Sequence, residues 1–269
     1  MICTQPVDGK AELPRLITPN LLWAGGCMEL ELDGELVHSH FGMYAIKGTA
    51  GTALIDTGHP SHAEPIERAL DAFLGEAGLD YIFPTHGEFP HFGLMPKWLA
   101  KYPQAKVVGD VRDYRLYYPE YADRFVQMEA GSAVDLGDRR LVIVPSIWND
   151  LKDTLWAFDT GDRALFVADG FSVTHHHKPG TCGLTAGEQP IPESKMVRLL
   201  SELALQWTRY MNPSETFAAL DGLIDIVRPR FICPAHGSVI EAPAEMLPLI
   251  KRGMALPSVT NPPPAHVSA

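Results

Sequence analysis

Cysteine is scarce in this 269-residue chain and scattered where it occurs: Cys3, Cys27, Cys182 and Cys233, with no C-x-x-C pair. That excludes a disulfide scaffold and leaves four reduced thiols that read as packing residues. Cys233 lies in an apolar run near a candidate ligand, where a small buried hydrophobe is favoured over a metal role. Basic runs are lacking too. With a formal net charge of −11 and no Lys/Arg-rich stretch, neither a nucleic-acid backbone nor an anionic bilayer is an expected partner. No stretch approaches the roughly 20 apolar residues of a membrane span, and the N-terminus has no basic segment followed by an apolar one. The expectation is therefore a cytoplasmic protein. There is no short internal repeat and no interdomain linker, so one domain over residues 1–269 is expected, with a proline-rich tail from about Leu256 (Pro257, Pro262, Pro263, Pro264). Apolar residues make up 46%, enough for a sizeable core.

What the chain does have is one dense knot of ligating chemistry. Thr85-His86-Gly87-Glu88-Phe89-Pro90-His91 puts two imidazoles and a carboxylate just after the apolar run Tyr81-Ile82-Phe83. Pro84 and Gly87 break regularity, so the segment reads as a strand opening into a loop. The pattern H-x-E-x-x-H differs from the zinc-protease H-E-x-x-H, whose ligands share one helix face.

Leu21-Leu22-Trp23, Met43 to Ile46 and Thr52 to Ile55 read as strands, the last two joined as a hairpin through Lys47 to Gly51. Ile66, Leu70 and Phe73 give helical spacing between Ala63 and Gly75, and another helix is expected around Met95 to Lys101. Strands follow at Tyr81 to Phe83 and Lys106 to Val108. Arg112 to Glu129, rich in Tyr114, Tyr117, Tyr118 and Tyr121, reads as a covering segment that packs its aromatics, with a lid or a dimer contact as alternatives. Three strands are expected at Arg140 to Val144, Thr154 to Phe158 and Ala164 to Ala168. A long helix is predicted over Pro192 to Met211, with an apolar stripe of Met196, Leu199, Leu200, Leu203 and Trp207. Asn212-Pro213-Ser214-Glu215 has the residue order of a helix start, Phe231 to Cys233 is the last strand, and Pro234-Ala235-His236-Gly237 leaves it.

This order resembles the metallo-β-lactamase fold, an α/β (α+β) αββα sandwich with metals at the edge of two facing sheets. Within it, the chain looks most like the β-lactamase-like domain of flavodiiron proteins and related oxygen-binding di-iron proteins, over about residues 15 to 245. The marks are Leu54 to Gly58, Glu88 in place of the usual second His of the first motif, Phe166 to Phe171, and Ile232 to Gly237. The resemblance implies that His86 and Glu88 ligate a first metal, His91 and His236 a second, and that Asp169 bridges them. Two departures stand out. Where the family has an Asp before the second His of the first motif, this chain has Pro90, so the second metal keeps His91, Asp169 and His236, a two-histidine, one-carboxylate set. For the His of the middle motif, counting back from Asp153-Thr154 gives Asp150, while counting forward from Val144-Pro145 gives Trp148; Asp150 is preferred because it can ligate. The loop His175-His176-His177 is the other source for that ligand. His38 and His40, with His177, are candidates for contacts around the metal pocket.

A first site of His86, Glu88, Asp150 and Asp169 is rich in oxygen and favours iron, or manganese, over zinc. The resemblance thus implies two metal ions and a non-haem di-iron (or iron/manganese) oxidoreductase that binds or activates O2, with small-molecule substrates and a homodimer whose partner closes the site. No Gly-rich flavin-phosphate loop is visible and 269 residues leave no room for a flavodoxin domain, so electrons are expected from a separate donor or from the substrate itself. The alternatives are a zinc-dependent hydrolase of an ester, lactone or thioester working through metal-bound hydroxide, and a sensor that reports O2 or NO occupancy.

Overall fold

Alternation along the strands builds two facing sheets. The computed structural model describes residues 2–257 other than 33, 177 and 211. Its first sheet has seven strands in sequence order: β1 (Arg15–Thr18), β2 (Leu21–Leu32), β3 (Glu35–Lys47), β4 (Thr52–Ile55), β5 (Tyr81–Phe83), β6 (Lys106–Gly109) and β7 (Phe125–Gln127). Pairing is antiparallel from β1 to β4 and parallel from β4 to β7. The second sheet contains β8 (Ala133–Asp135), β9 (Arg140–Pro145), β10 (Leu155–Asp159), β11 (Ala164–Phe166) and β12 (Phe231–Cys233), in the order β12-β11-β10-β9-β8, with only β11 and β12 parallel.

Successive strand residues face opposite sides, and the sequence uses both. Leu21, Trp23, Tyr44, Ile46 and Phe83 meet Leu141, Ile143, Ala157, Phe166 and Cys233 of the second sheet in one apolar layer. Their neighbours Leu22, Ala24, Met43, Ala45 and Ile82 face outward onto α1 (Ala63–Leu74) and α3 (Met95–Lys101) through Ile66, Leu70, Phe73, Met95 and Trp98. Between those helices runs the single turn α2 (Phe89–Phe92), and α4 (Tyr114–Tyr117) follows β6. On the other side, Val144, Trp156, Leu165 and Ile232 pack against α5 (Ser194–Ala204), α6 (Ser214–Val227) and α7 (Pro243–Met254). Each fully buried large side chain contributes roughly 1.5–3 kcal/mol. The layers run helix, sheet, sheet, helix, the αββα sandwich that the sequence resembles.

The expected long helix is shorter than predicted. It stops at Ala204, because Leu205 leaves helical geometry (φ −114°, ψ 51°) and buries its side chain completely, and a 3-10 stretch Gln206–Tyr210 follows. Leu203 consequently faces solvent, 60% exposed, while Met196, Leu199 and Leu200 remain inside. Asn212 Oδ1 accepts from the Ser214 N–H (3.1 Å), as its position at a helix start implies. Both β2 and β3 run well beyond their apolar segments. The segment from Arg112 does cover the fold with aromatics: Phe92 packs against the rings of Tyr114, Tyr117 and Tyr118. Of the tail, Pro262, Pro263 and Pro264 lie outside the described residues.

Candidate metal centre

The loops that leave β4, β5, β11 and β12 meet at one edge of the sandwich, beyond the carboxyl ends of parallel strands, where open α/β sheets place ligands. Strand β5 runs into Thr85 and His86, β11 into Asp169, β12 into His236, and the loop between β9 and β10 adds Asp150. A backbone bond from Leu155 N–H to Thr85 O (2.8 Å) ties that last loop to the first. Asp56 after β4 and Ala168 after β11 have φ of 57° and 48°; for non-glycine residues this stores roughly 1–3 kcal/mol each, the kind of strain found at functional sites.

Three overlapping groups of ligating atoms form there, each with its members within 4.8 Å of one another: His86, Glu88, Asp150 and Asp169; His91, Asp169 and His236; and His86, Glu88 and His91, which links the other two. Asp169 belongs to the first two. Its Oδ1 lies 3.6 Å from His86 Nε2, 3.9 Å from His91 Nε2 and 3.4 Å from His236 Nε2. His86 Nε2 also stands 3.7 Å from Asp150 Oδ2 and 4.0 Å from Glu88 Oε2. The structure thus brings together all six of the sequence-derived candidates. Trp148, the alternative to Asp150, is buried among Trp156 and Phe171 in the apolar layer under α5 and α6.

Hydrogen-bond logic sets which ring nitrogens face inward. Asp56 accepts from the Thr85 N–H (2.7 Å) and from the Thr85 hydroxyl (2.9 Å). With that proton committed, Thr85 Oγ1 accepts from His86 Nδ1–H (2.9 Å), which leaves a lone pair on His86 Nε2. His236 Nδ1–H donates to His40 O (2.7 Å), so its Nε2 is also unprotonated. Burial lowers the pKa of all three histidines, well down for His91 and to about 4 for His236. Burial also raises Asp169 well above the usual carboxylate range, with Asp150, Glu88 and Asp56 adding to it, and raises Glu88, with help from Asp150.

Nitrogen lone pairs and carboxylate oxygens crowded into one dry space repel one another unless cations sit among them. Among the described residues, no donor or acceptor satisfies His86 Nε2, Asp150 Oδ2 or either oxygen of Asp169, and each such buried polar atom costs about 1–3 kcal/mol. His91 Nε2 and His236 Nε2 stand 3.1 Å apart, a hydrogen bond when His91 carries its proton on Nε2. This donor set fits two metal ions: imidazole and carboxylate suit iron, manganese or zinc, and the carboxylate-rich group favours the harder ions.

A sequence model of the metallo-beta-lactamase superfamily matches residues 43–191, more than half of the chain. The chain belongs to the metallo-beta-lactamase superfamily. Among curated relatives of this superfamily member, a type A flavoprotein of Rhodobacter capsulatus is 24% identical over 250 residues, covering 85% of this chain and 53% of the relative. A coenzyme F420H(2) oxidase of Methanothermobacter marburgensis is 23% identical over 257 residues, covering 86% and 59%. The crystal structure of the flavodiiron protein from Giardia intestinalis shares the fold with a TM-score of 0.66 and 18% identity, over 93% of this chain and 60% of that one. The branch resemblance to flavodiiron proteins thus holds, and the chain spans a little over half the length of the relatives it matches.

Other candidates lie elsewhere. His38 faces Cys27 and Glu29; the His40 backbone oxygen accepts from His236 Nδ1, and His40 Nε2 donates to Cys182 O (2.7 Å). His175 turns toward Cys27, His176 is exposed, and His177 lies outside the described residues. Cys233 packs in the layer between the sheets. Thr85 and Asp56 stand in the quoted motifs, but the sequence assigns them no role; they orient the site through hydrogen bonds. Sequence reasoning missed Phe41, whose ring lies edge-on to His236, 5.0 Å between centroids. Pro90 sits in the first turn of α2 and brings no oxygen to the cluster.

Proposed function

We propose that this chain forms the di-iron, or iron/manganese, centre of an oxidoreductase that binds or activates O2. The observation that carries it is the carboxylate-rich group of His86, Glu88, Asp150 and Asp169, joined through Asp169 to His91 and His236. The similarity to a coenzyme F420H(2) oxidase supports the same chemistry. His86, Glu88, Asp150 and Asp169 hold the first ion; His91, His236 and the shared Asp169 hold the second. What a filled centre supplies is one-electron exchange with O2.

The chain's own residues do the rest. Thr85 and the His40 carbonyl fix the inward lone pairs of His86 and His236. Phe41, nearly buried above His236, narrows water access. Glu88, whose side chain is 42% exposed, is the ligand nearest solvent and marks the side from which a small molecule enters. An electron donor and a second copy of the chain are the partners this reading calls for. Zinc hydrolysis is the weaker reading, because Pro90 leaves the second ion without the carboxylate that hydrolases of this fold use there.

The test is oxygen uptake by iron-loaded protein with a small chemical reductant, run beside a panel of esters, lactones and thioesters with zinc-loaded protein. Sustained oxygen consumption by the iron form supports the proposal. An inert iron form together with turnover of the panel by the zinc form overturns it in favour of hydrolysis.

A further inference from the structure

We infer that Cys27, His175 and Cys182 form a second metal site, distinct from the carboxylate-rich cluster and suited to a thiolate-preferring divalent ion such as zinc. Their ligand atoms all lie within 4.8 Å of one another, although the residues come from β2 and from a loop some 150 positions later. Cys27 Sγ stands 3.5 Å from His175 Nε2 and 3.6 Å from His38 Nδ1. Zinc bonds of about 2.3 Å to sulfur and about 2.0–2.1 Å to nitrogen, opened to a tetrahedral angle, put sulfur and nitrogen about 3.6 Å apart. The Cys27–His175 contact therefore has the length of a tetrahedral edge. An imidazole N–H can also donate to the Cys27 sulfur at these distances, so what carries the inference is the convergence of two thiols and an imidazole on one point.

The backbone holds these groups in place without help from an ion. His38 N–H donates to His175 O (2.8 Å) and His175 N–H to His38 O (2.9 Å), fastening the loop to β3. The bond from His40 to Cys182 O fixes the second cysteine, and the His40 ring stacks on His175 at 4.4 Å. His38 stands beside this group rather than in it, its Nε2 3.8 Å from Glu29 Oε1, so the three ligands leave a fourth position for water. All three proposed ligands are half-buried, open enough for an ion to enter. Soft sulfur selects zinc where the oxygen-rich cluster selects harder ions, so one chain can keep two metals apart. Binding releases the two thiol protons, and affinity rises with pH accordingly.

The test uses the full chain, reduced, stripped with a chelator and titrated with Co2+ under anaerobic conditions. Sulfur-to-cobalt charge transfer in the near ultraviolet reports this site alone, because none of the six candidate ligands of the other cluster is a cysteine. We expect the band to saturate at one equivalent, to be bleached by Zn2+, to vanish in Cys27→Ser and Cys182→Ser, and to persist in Cys3→Ser. In His175→Ala, zinc affinity should fall more than tenfold. Should a cysteine variant fail to fold, alkylation of the wild type decides: Zn2+ should protect Cys27 and Cys182 from iodoacetamide but not Cys3. Absence of the band in fully reduced protein, alkylation insensitive to Zn2+, or a Cys27–Cys182 disulfide in protein purified without oxidant would overturn the inference.

Discussion

Replacing Thr85 with valine removes one hydroxyl and almost no volume, and it separates positioning from ligation. Thr85 is buried; its Oγ1 donates to Asp56 at 2.9 Å and accepts from His86 Nδ1 at 2.9 Å. In Thr85→Val, Asp56 keeps the backbone N–H of residue 85 (2.7 Å), but His86 loses the acceptor for its Nδ1 proton. That proton is then as well placed on Nε2, the nitrogen that faces Asp150 and Asp169. Loss of such an outer partner lowers metal affinity about 10–100-fold, equivalent to about 1.4–2.7 kcal/mol. Competition against a calibrated chelator measures it directly, with circular dichroism verifying the fold, and Thr85→Ser should restore most of the affinity. An affinity in Thr85→Val equal to that of the unmodified chain would refute the assignment of the inward lone pair.

Gly87 lies between two candidate ligands, and a Cβ there would stand 2.7 Å from Asp153 Oδ2. Gly87→Ala should therefore push the Asp153 carboxylate aside at a cost of about 1 kcal/mol or less and weaken metal binding, read by denaturant unfolding and chelator competition. Arg15 hydrogen-bonds Glu188 (2.8 Å to Oε1) and holds its carboxyl below the usual range. A depressed folded-state pKa stabilises above the unfolded value of about 4.3 and loses that contribution as pH falls through the folded value. Glu188→Gln should thus cost roughly 1.5–3 kcal/mol at neutral pH, as for a hydrogen bond to a charged group, and the gap should close in acid, as followed by thermal unfolding across pH.

Much of the fold was legible because its signals are local. The strands β4, β5 and β12 and the helices α1 and α3 are short, apolar or strongly periodic, and Gly or Pro stands near most of their ends. The outer halves of β2 and β3 were not, because Glu29, Glu31, Ser39 and His40 interrupt the apolar pattern where the hairpin leaves the sandwich. The α7 helix escaped notice: Pro243 and Pro248 mask its periodicity. The over-long helix came from reading Leu203 and Trp207 as one stripe with Leu200, when burial of Leu205 turns the chain first. At the site, H-x-E-x-x-H is compact and readable, but Thr85 and Asp56 act through hydrogen bonds that residue types alone do not announce. Cys27 and Cys182 stand too far apart in sequence for spacing to pair them.

The division of the ligands into two sites joined by Asp169 can be read from metal stoichiometry in protein produced in iron-rich medium, for the unmodified chain, Asp150→Ala and His91→Ala. The account predicts about two ions bound to histidine and carboxylate in the unmodified chain, counted apart from any thiolate-bound zinc, and the loss of one of them in each variant. Full occupancy in Asp150→Ala, or colourless protein with zinc alone at the histidine and carboxylate ligands, would contradict it.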